Sequence, residues 1–150
     1  MTIQPRGCTN FKLRQLLRRV SLVYDHAMAE SGLKITQYSL LTHVDRLGPI
    51  TQADLARAMA MDSSTLSRNL KPLQTAGWVA VRAGDDARSN ALALTAAGRR
   101  KRSEAQALWK KAQVQLNETV GVDDVIALHA LIDRMSEALA NDTTDDRNAA

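Results

Sequence analysis

Apolar residues along this chain recur at helical spacing almost everywhere, and the exceptions gather around position 80. From Phe11 to about Glu30, residues Leu13, Leu16, Leu17, Val20, Val23, Tyr24 and Ala27 keep one stripe, which Gly32 closes. A shorter pattern of Ala53, Leu55, Ala56 and Met59 follows Thr51, and a third, Leu66, Leu70 and Leu73, follows Asp62. From Thr95 to about Thr119 the periodic residues are Ala105, Leu108, Trp109, Ala112 and Leu116, and beyond them Val125, Leu128, Ile132, Met135 and Leu139 stand three and four apart. Between the third and fourth patterns the period changes. Trp78–Val81 and Ala91–Leu94 are β-rich runs on either side of a polar loop, Gly84 to Ser89. The fold class that follows is mainly α with a small β-hairpin, ending in a polar segment, 141–150, read as a disordered tail.

The punctuation between the patterns sharpens that reading. Thr51 can cap the first short helix with Asp54 answering from three residues on, and Asp62 is the N-cap expected for the second. Gly77 ends that second helix in the left-handed conformation. With the three leucines facing inward, the outward face holds Ser63, Ser64, Thr65, Ser67, Arg68 and Lys71, the donors that reach base edges and phosphates when a recognition helix enters a major groove. Two short helices, a glycine stop and a hairpin make a winged helix-turn-helix, and the partner it points to is double-stranded DNA. Thr51, Gln52 and Arg82 join the expected contact set. So do Asp86, Arg88 and Ser89 at the hairpin tip, where one arginine suits a narrow, electronegative minor groove.

Three runs, GLKITQYSLL, MDSSTLSRNLKPLQTAGWV and DDARSNALALTAAGR, resemble the multiple antibiotic resistance regulator (MarR) family, over roughly residues 11 to 140, and the Asp-x-Arg of the third is the most diagnostic piece. Position by position, Ser63, Ser64, Thr65, Ser67 and Arg68 match that family's recognition helix, and Asp86 and Arg88 match its wing. The resemblance implies a homodimeric transcriptional regulator, responsive to a ligand or an oxidant, that grips a pseudo-palindromic operator. It divides the chain into dimerisation helices at 11–32 and 103–140 flanking a winged helix-turn-helix at 36–102. Unpartnered apolar faces on the flanking helices agree with pairing of two copies, which sets two reading heads at the spacing a two-fold symmetric site requires.

Composition changes the picture at two points. The 150 residues are one domain's worth, with only five aromatic residues, so the core must be built from Leu, Ala, Val and Met. Net charge is +4, but residues 51–102 carry nine Lys and Arg against four acids, and residues 103–150 carry four against nine. The basic surface therefore falls on the proposed reading head, and Arg99, Arg100, Lys101 and Arg102 form a dense run that reads first as a solvated helix start and second as direct phosphate contacts, attracting the duplex at long range in either case. No apolar run approaches a membrane span and no secretion signal is legible, so a cytoplasmic protein is expected.

The expected signal is a small organic anion. MarR-family members commonly hold an aromatic acid between the dimerisation helices and the winged domain, and Arg14, Arg18, Tyr24, Tyr38, His43 and Trp109 offer aromatic walls and cations for a carboxylate. Cys8 is the redox candidate. A lone cysteine cannot form an internal disulfide, but it precedes the first helix near Arg6, Lys12 and Arg14. The peroxide-sensing branch of the family places its cysteine at a position that aligns with Asn10, two residues away, while Tyr24 matches that branch. His26, His43 and His129 are dispersed, and neither a metal-binding spacing nor a phosphate-cradling glycine loop is present. No cofactor, metal or catalytic role is expected. A helical interaction module without DNA binding, the remaining alternative, leaves Arg68 and Arg88 without a purpose.

Overall fold

The computed structural model describes residues 6–83 and 90–148. The chain divides into two compact units, one running to Ala112 and the other beginning at Gln113.

In the first unit, α1 (Thr9–Met28) leads through a single tight turn to α2 (Ile35–Leu47). Lys34, the residue before α2, has no carboxylate or hydroxyl with which to cap it. Asp25 of α1 does so instead, its Oδ1 accepting from the Ile35 amide at 2.7 Å, and Gln37 Oε1 accepts from the Lys34 amide at 2.9 Å. A two-residue strand β1 (Ile50–Thr51) then opens α3 (Gln52–Ala58) and α4 (Ser63–Thr75), and the hairpin strands β2 (Val79–Ala83) and β3 (Asn90–Leu94) follow. The helix α5 (Ala96–Val120) begins in this unit.

The sheet has three strands rather than the two read from the sequence. Its order is β1-β3-β2, all antiparallel, with Ile50 opposite Leu92 and Val79 opposite Leu94. A strand of two residues has no period to read, which is why β1 was invisible. It matters because it ties the start of α3 to the central strand of the hairpin.

Packing explains which sequence stripes are satisfied here. Leu55, Leu66, Leu70 and Leu73 from α3 and α4 close on Leu40, Leu41 and Val44 of α2, on Val79, Leu92 and Leu94 of the sheet, and on Met28 and Ala105. Close packing of this kind makes the reading head rigid. Gly98, near the start of α5, is buried because α5 crosses the hairpin's entry at backbone distance, and a Cβ there would run into the Trp78 carbonyl oxygen. Thr95 locks the same crossing. Its hydroxyl donates to the Gly77 carbonyl at 2.7 Å and accepts from the Gly98 amide at 3.0 Å, capping α5 against the end of α4.

The second unit holds the end of α5 and α6 (Val122–Asn148), with Gly121 at a φ of 100° between them. Here Val125 is buried and Leu128 half-buried, while Ile126, Leu131, Ile132, Met135 and Leu139 are exposed. α6 continues to Asn148, so the polar stretch from Asn141 is helical to that point rather than a disordered tail. It contains neither a glycine nor a proline to stop the helix. Among the described residues no helix is long and apolar enough to cross a membrane.

Candidate nucleic-acid interface

α4 presents two chemically opposite faces because its leucines repeat at helical spacing. Leu66, Leu70 and Leu73 are buried, and Ser63, Ser64, Ser67, Arg68 and Lys71 are exposed, with Thr65 half-buried between them. Its start is fixed by Asp62, whose Oδ1 accepts from the Thr65 amide at 2.8 Å and from the Ser64 hydroxyl at 2.7 Å, while Oδ2 accepts from the Thr65 hydroxyl at 2.7 Å. The hydrogen bonds from Ser64 and Thr65 hold this carboxyl well below the usual carboxylate range. Arg68 leans back on the helix, its Nη2 donating to Thr65 Oγ1 at 3.3 Å.

α3 supports α4 from behind. Thr51 Oγ1 accepts from the Asp54 amide at 3.1 Å and donates to the Asp54 carboxylate at 2.8 Å, the cap expected from the sequence, and Asp54 also pairs with Arg57 in solvent. Gln52 reaches across the turn and donates to Ser67 Oγ at 2.5 Å, joining the two helices at the exposed surface. The turn between them holds Ala60 at a φ of 50°, a left-handed conformation that costs an L-residue roughly 1–2 kcal/mol. Gly77, at a φ of 72°, ends α4 as anticipated.

On the hairpin, Arg82 is exposed on β2 across from Ala91. Asp86, Arg88 and Ser89, assigned to the wing tip from the sequence, lie outside the described residues.

The basic run after the hairpin is not one surface. Arg99 Nη1 donates to the Leu94 carbonyl at 3.0 Å, Lys101 Nζ sits 5.4 Å from the centre of the Trp78 ring, and Arg102 Nε lies 2.9 Å from Asp45 Oδ2. The α-helical period sends four consecutive side chains in four directions, so Arg99, Lys101 and Arg102 each touch the fold, Arg99 while staying exposed like Arg100 and the other two half-buried. These directions do not suit the lesser of the two sequence readings, four side chains facing phosphates together.

A feature that the sequence concealed lies beside α4. Lys34, Thr36 and Gln37 at the start of α2 line a cleft of about 320 Å³ together with Arg68, Asn69 and Pro72. None of these six side chains is acidic. These residues lie in the run GLKITQYSLL, whose spacing says nothing of α4, and only the tertiary packing brings them to the flank of the exposed helix.

The residues read as an effector site are partly assembled. The Tyr38 and Trp109 rings stack with centroids 6.1 Å apart and an interplanar angle of 26°. Tyr38 belongs to the core, Trp109 is half-buried against it, and His43 is half-buried with Nδ1 2.7 Å from the Ser39 carbonyl. Tyr24 is buried, and burial raises its hydroxyl above the usual phenol value. Arg14 and Arg18 are exposed on α1. Cys8 is exposed at the N-cap of α1, a free thiol. Among the described residues, no group of three or more His, Cys, Asp or Glu is arranged to hold a metal ion.

Comparison with known proteins returns one kind of molecule. The family model described as the MarR family matches residues 31–89. The HTH-type transcriptional regulator YwoH of Bacillus subtilis is 27% identical over 105 residues, which is 70% of this chain and 77% of YwoH. Among solved structures, the M. tuberculosis transcriptional regulator MosR in complex with DNA is 33% identical, with a TM-score of 0.74 over 88% of this chain and 98% of MosR. A structure concerning the regulation of DNA binding of Bordetella bronchiseptica BpsR by 6-hydroxynicotinic acid shares the fold, with a TM-score of 0.76 over 91% of this chain and 99% of that one, at 19% identity. The family and these relatives are transcriptional regulators, not enzymes.

Proposed function

This chain belongs to the MarR family, and from that membership we propose that it is a sequence-specific regulator that binds double-stranded DNA as a homodimer and represses until a small organic anion releases it. The observation that carries the reading is α4, a helix with three fully buried leucines behind an exposed face of serines, one arginine and one lysine, followed directly by a hairpin. A relative at 33% identity, matched over 98% of its chain, is seen on DNA, which supports the same use of this helix. Ser63, Ser64, Thr65, Ser67, Arg68 and Lys71 then approach base edges and phosphates, joined by Thr51 and Gln52 at the start of α3 and by Arg82 on β2, with Asp86, Arg88 and Ser89, outside the described residues, as the further contacts that the sequence assigns.

Support for the dimer comes from two apolar faces. Phe11, Leu13, Leu16 and Leu17 on α1 are exposed, as are Ile126, Leu131, Ile132, Met135 and Leu139 on α6. Several large apolar side chains left in water along a helix are a site of association, and a two-fold pair of such helices gives a two-fold pair of reading heads.

For the signal, the register of Cys8 supports an organic anion over the thiol. The cysteine of the peroxide-sensing branch aligns with Asn10, two residues from Cys8, and within a protomer Cys8 and Tyr24 are sixteen residues, about 24 Å at 1.5 Å per residue, apart along α1. The Tyr38–Trp109 stack is the aromatic pair in support of a planar ligand, and His43, Arg14 and Arg18 are the polar partners that the sequence assigns to it. A ligand of this kind acts by preferring a dimer whose reading heads are misplaced, and bound DNA weakens it in equal measure.

Selection of duplexes from a randomised library followed by sedimentation of the complex tests the reading. The expected product is two protomers on a two-fold symmetric site with half-sites about one helical turn apart. Absence of any enriched duplex, or one protomer on an asymmetric site, overturns it. Release by a panel of aromatic carboxylates in wild type and Cys8→Ser alike supports the anion as signal. Release by hydroperoxide in the wild type alone would make the thiol the sensor.

A further inference from the structure

A hydroxyl has one proton, and a carboxylate in its ionised form has none to offer, so any hydroxyl bonded to an ionised carboxylate must be the donor. Asp62 is exposed at the tip of the reading head, and its carboxyl is held below the usual range, so it is ionised wherever DNA binding takes place. The Ser64 proton is therefore committed to Oδ1 and the Thr65 proton to Oδ2. Thr65 is committed on its other side as well, because its oxygen accepts from Arg68 Nη2 at 3.3 Å. Ser64 Oγ is then an exposed oxygen at the start of α4 with lone pairs and no proton to give.

This polarity selects among base edges. In the major groove adenine N6 and cytosine N4 are amino donors, whereas guanine O6 and N7 and thymine O4 are acceptors. A serine with a free proton serves either class, which makes serine a weak reader. Ser64 cannot serve the acceptors. Residues at the N-terminus of a recognition helix are those that meet base edges.

We infer that Asp62 and Ser64 form an acceptor-only reader, selecting an amino-bearing base, adenine or cytosine, at one position of each half-site. Thr65 is not a base contact but a positioning residue that holds the Arg68 guanidinium on the same helical face. The inference rests on the DNA-binding reading above and adds to it the chemical class of one recognised base. It reassigns Thr65, which the proposed function above counts among the contacts, because a hydroxyl engaged as both donor and acceptor within the helix has little left to give to DNA.

The test uses the full chain and the duplex enriched from the randomised library. Each adenine is replaced in turn by purine and each cytosine by 2-pyrimidinone, which delete the amino group and leave the ring. Wild type should lose affinity roughly tenfold at one symmetric position, as for a specific base contact, and Ser64→Ala should be indifferent to the deletion there while melting at the wild-type temperature. Asp62→Ser keeps a capping hydroxyl but removes the carboxylate. It should relax the same position, so that guanine or thymine is accepted within a few-fold of the original base, because Ser64 can then turn its proton outward. An enriched duplex with no position whose amino dependence disappears in Ser64→Ala overturns this inference alone, as does an unchanged base preference in Asp62→Ser. No enriched duplex overturns it together with the DNA-binding reading.

Discussion

Two helices of the first unit have the same kind of apolar stripe and opposite fates. On α4, Leu66, Leu70 and Leu73 are at most 1% exposed, whereas on α1 Leu13 and Leu17 are 47% and 65% exposed. Periodicity does not separate them, since both stripes obey the helical repeat. What separates them is the set of neighbours that the chain itself can bring. α4 is enclosed by α2, α3, the sheet and α5, while the amino-terminal half of α1 extends past the residues, Tyr24 and Met28, at which it is buried. An apolar stripe therefore specifies burial against something, and whether that something is the same chain is a separate question. On α4 it was answered by folding; on α1 the proposed answer is a second copy.

The largest effect should come from breaking the α1 side of that contrast. Leu13→Asp combined with Leu17→Asp places two charges on the exposed face and leaves the core of the unit untouched. Sedimentation should show monomers, and operator affinity should fall by roughly 10²-fold or more, the decrease expected when two linked reading heads become independent. A variant that remains dimeric with full affinity would mean that this face is solvated in the functional protein.

Its counterpart on α4 should behave differently in kind. Leu70→Ala removes a fully buried side chain and leaves a cavity, at a cost of about 2–5 kcal/mol in chemical denaturation. That destabilisation should persist at low protein concentration, since it belongs to one chain's core, whereas the stability change from the α1 variant should depend on concentration. Next in size is Gly98→Ala. The added methyl would meet the Trp78 carbonyl, and overpacking of this kind costs about 1–3 kcal/mol. An unchanged melt for Gly98→Ala would show that α5 can lift from the hairpin without penalty.

The same contrast shows what could be read from the chain before its structure. Elements bounded by strong chemistry were legible: Thr51 and Asp62 cap their helices as their hydroxyl and carboxylate suggest, and Gly77 takes its left-handed turn. Elements made by tertiary contact were not. β1 has two residues and no pattern, Ala60 takes a left-handed conformation that its residue type does not advertise, and Lys34, Thr36 and Gln37 reach the flank of α4 only because α2 packs behind it. The polarity of Ser64 was hidden for the same reason. Serine reads alike at every exposed helix position until its partner is known, and here the partner is Asp62. The run from Arg99 to Arg102 stayed open between two readings for a related reason, because adjacency in sequence is dispersion on a helix.

That dispersion gives the smallest and most discriminating expectation. If charge in this region follows the helical period rather than the sequence, substitutions one or two residues apart should fail in different assays. Arg100→Ala removes an exposed cation, and it should weaken DNA binding a few-fold, reduce the salt slope by about 0.9 for each phosphate no longer neutralised, and leave the melting temperature unchanged. Arg102→Ala removes the partner of a half-buried carboxylate, Asp45, so it should lower the melting temperature by a few degrees with little change in salt slope. Lys34→Ala, on the cleft beside Arg68, should group with Arg100→Ala, weakening all duplexes alike because a phosphate contact holds no sequence information. Anisotropy titrations at several salt concentrations, paired with thermal melts, place each variant in one group or the other. Equal salt slopes for the wild type, Arg100→Ala and Lys34→Ala would confine the DNA contacts to α4 and the wing.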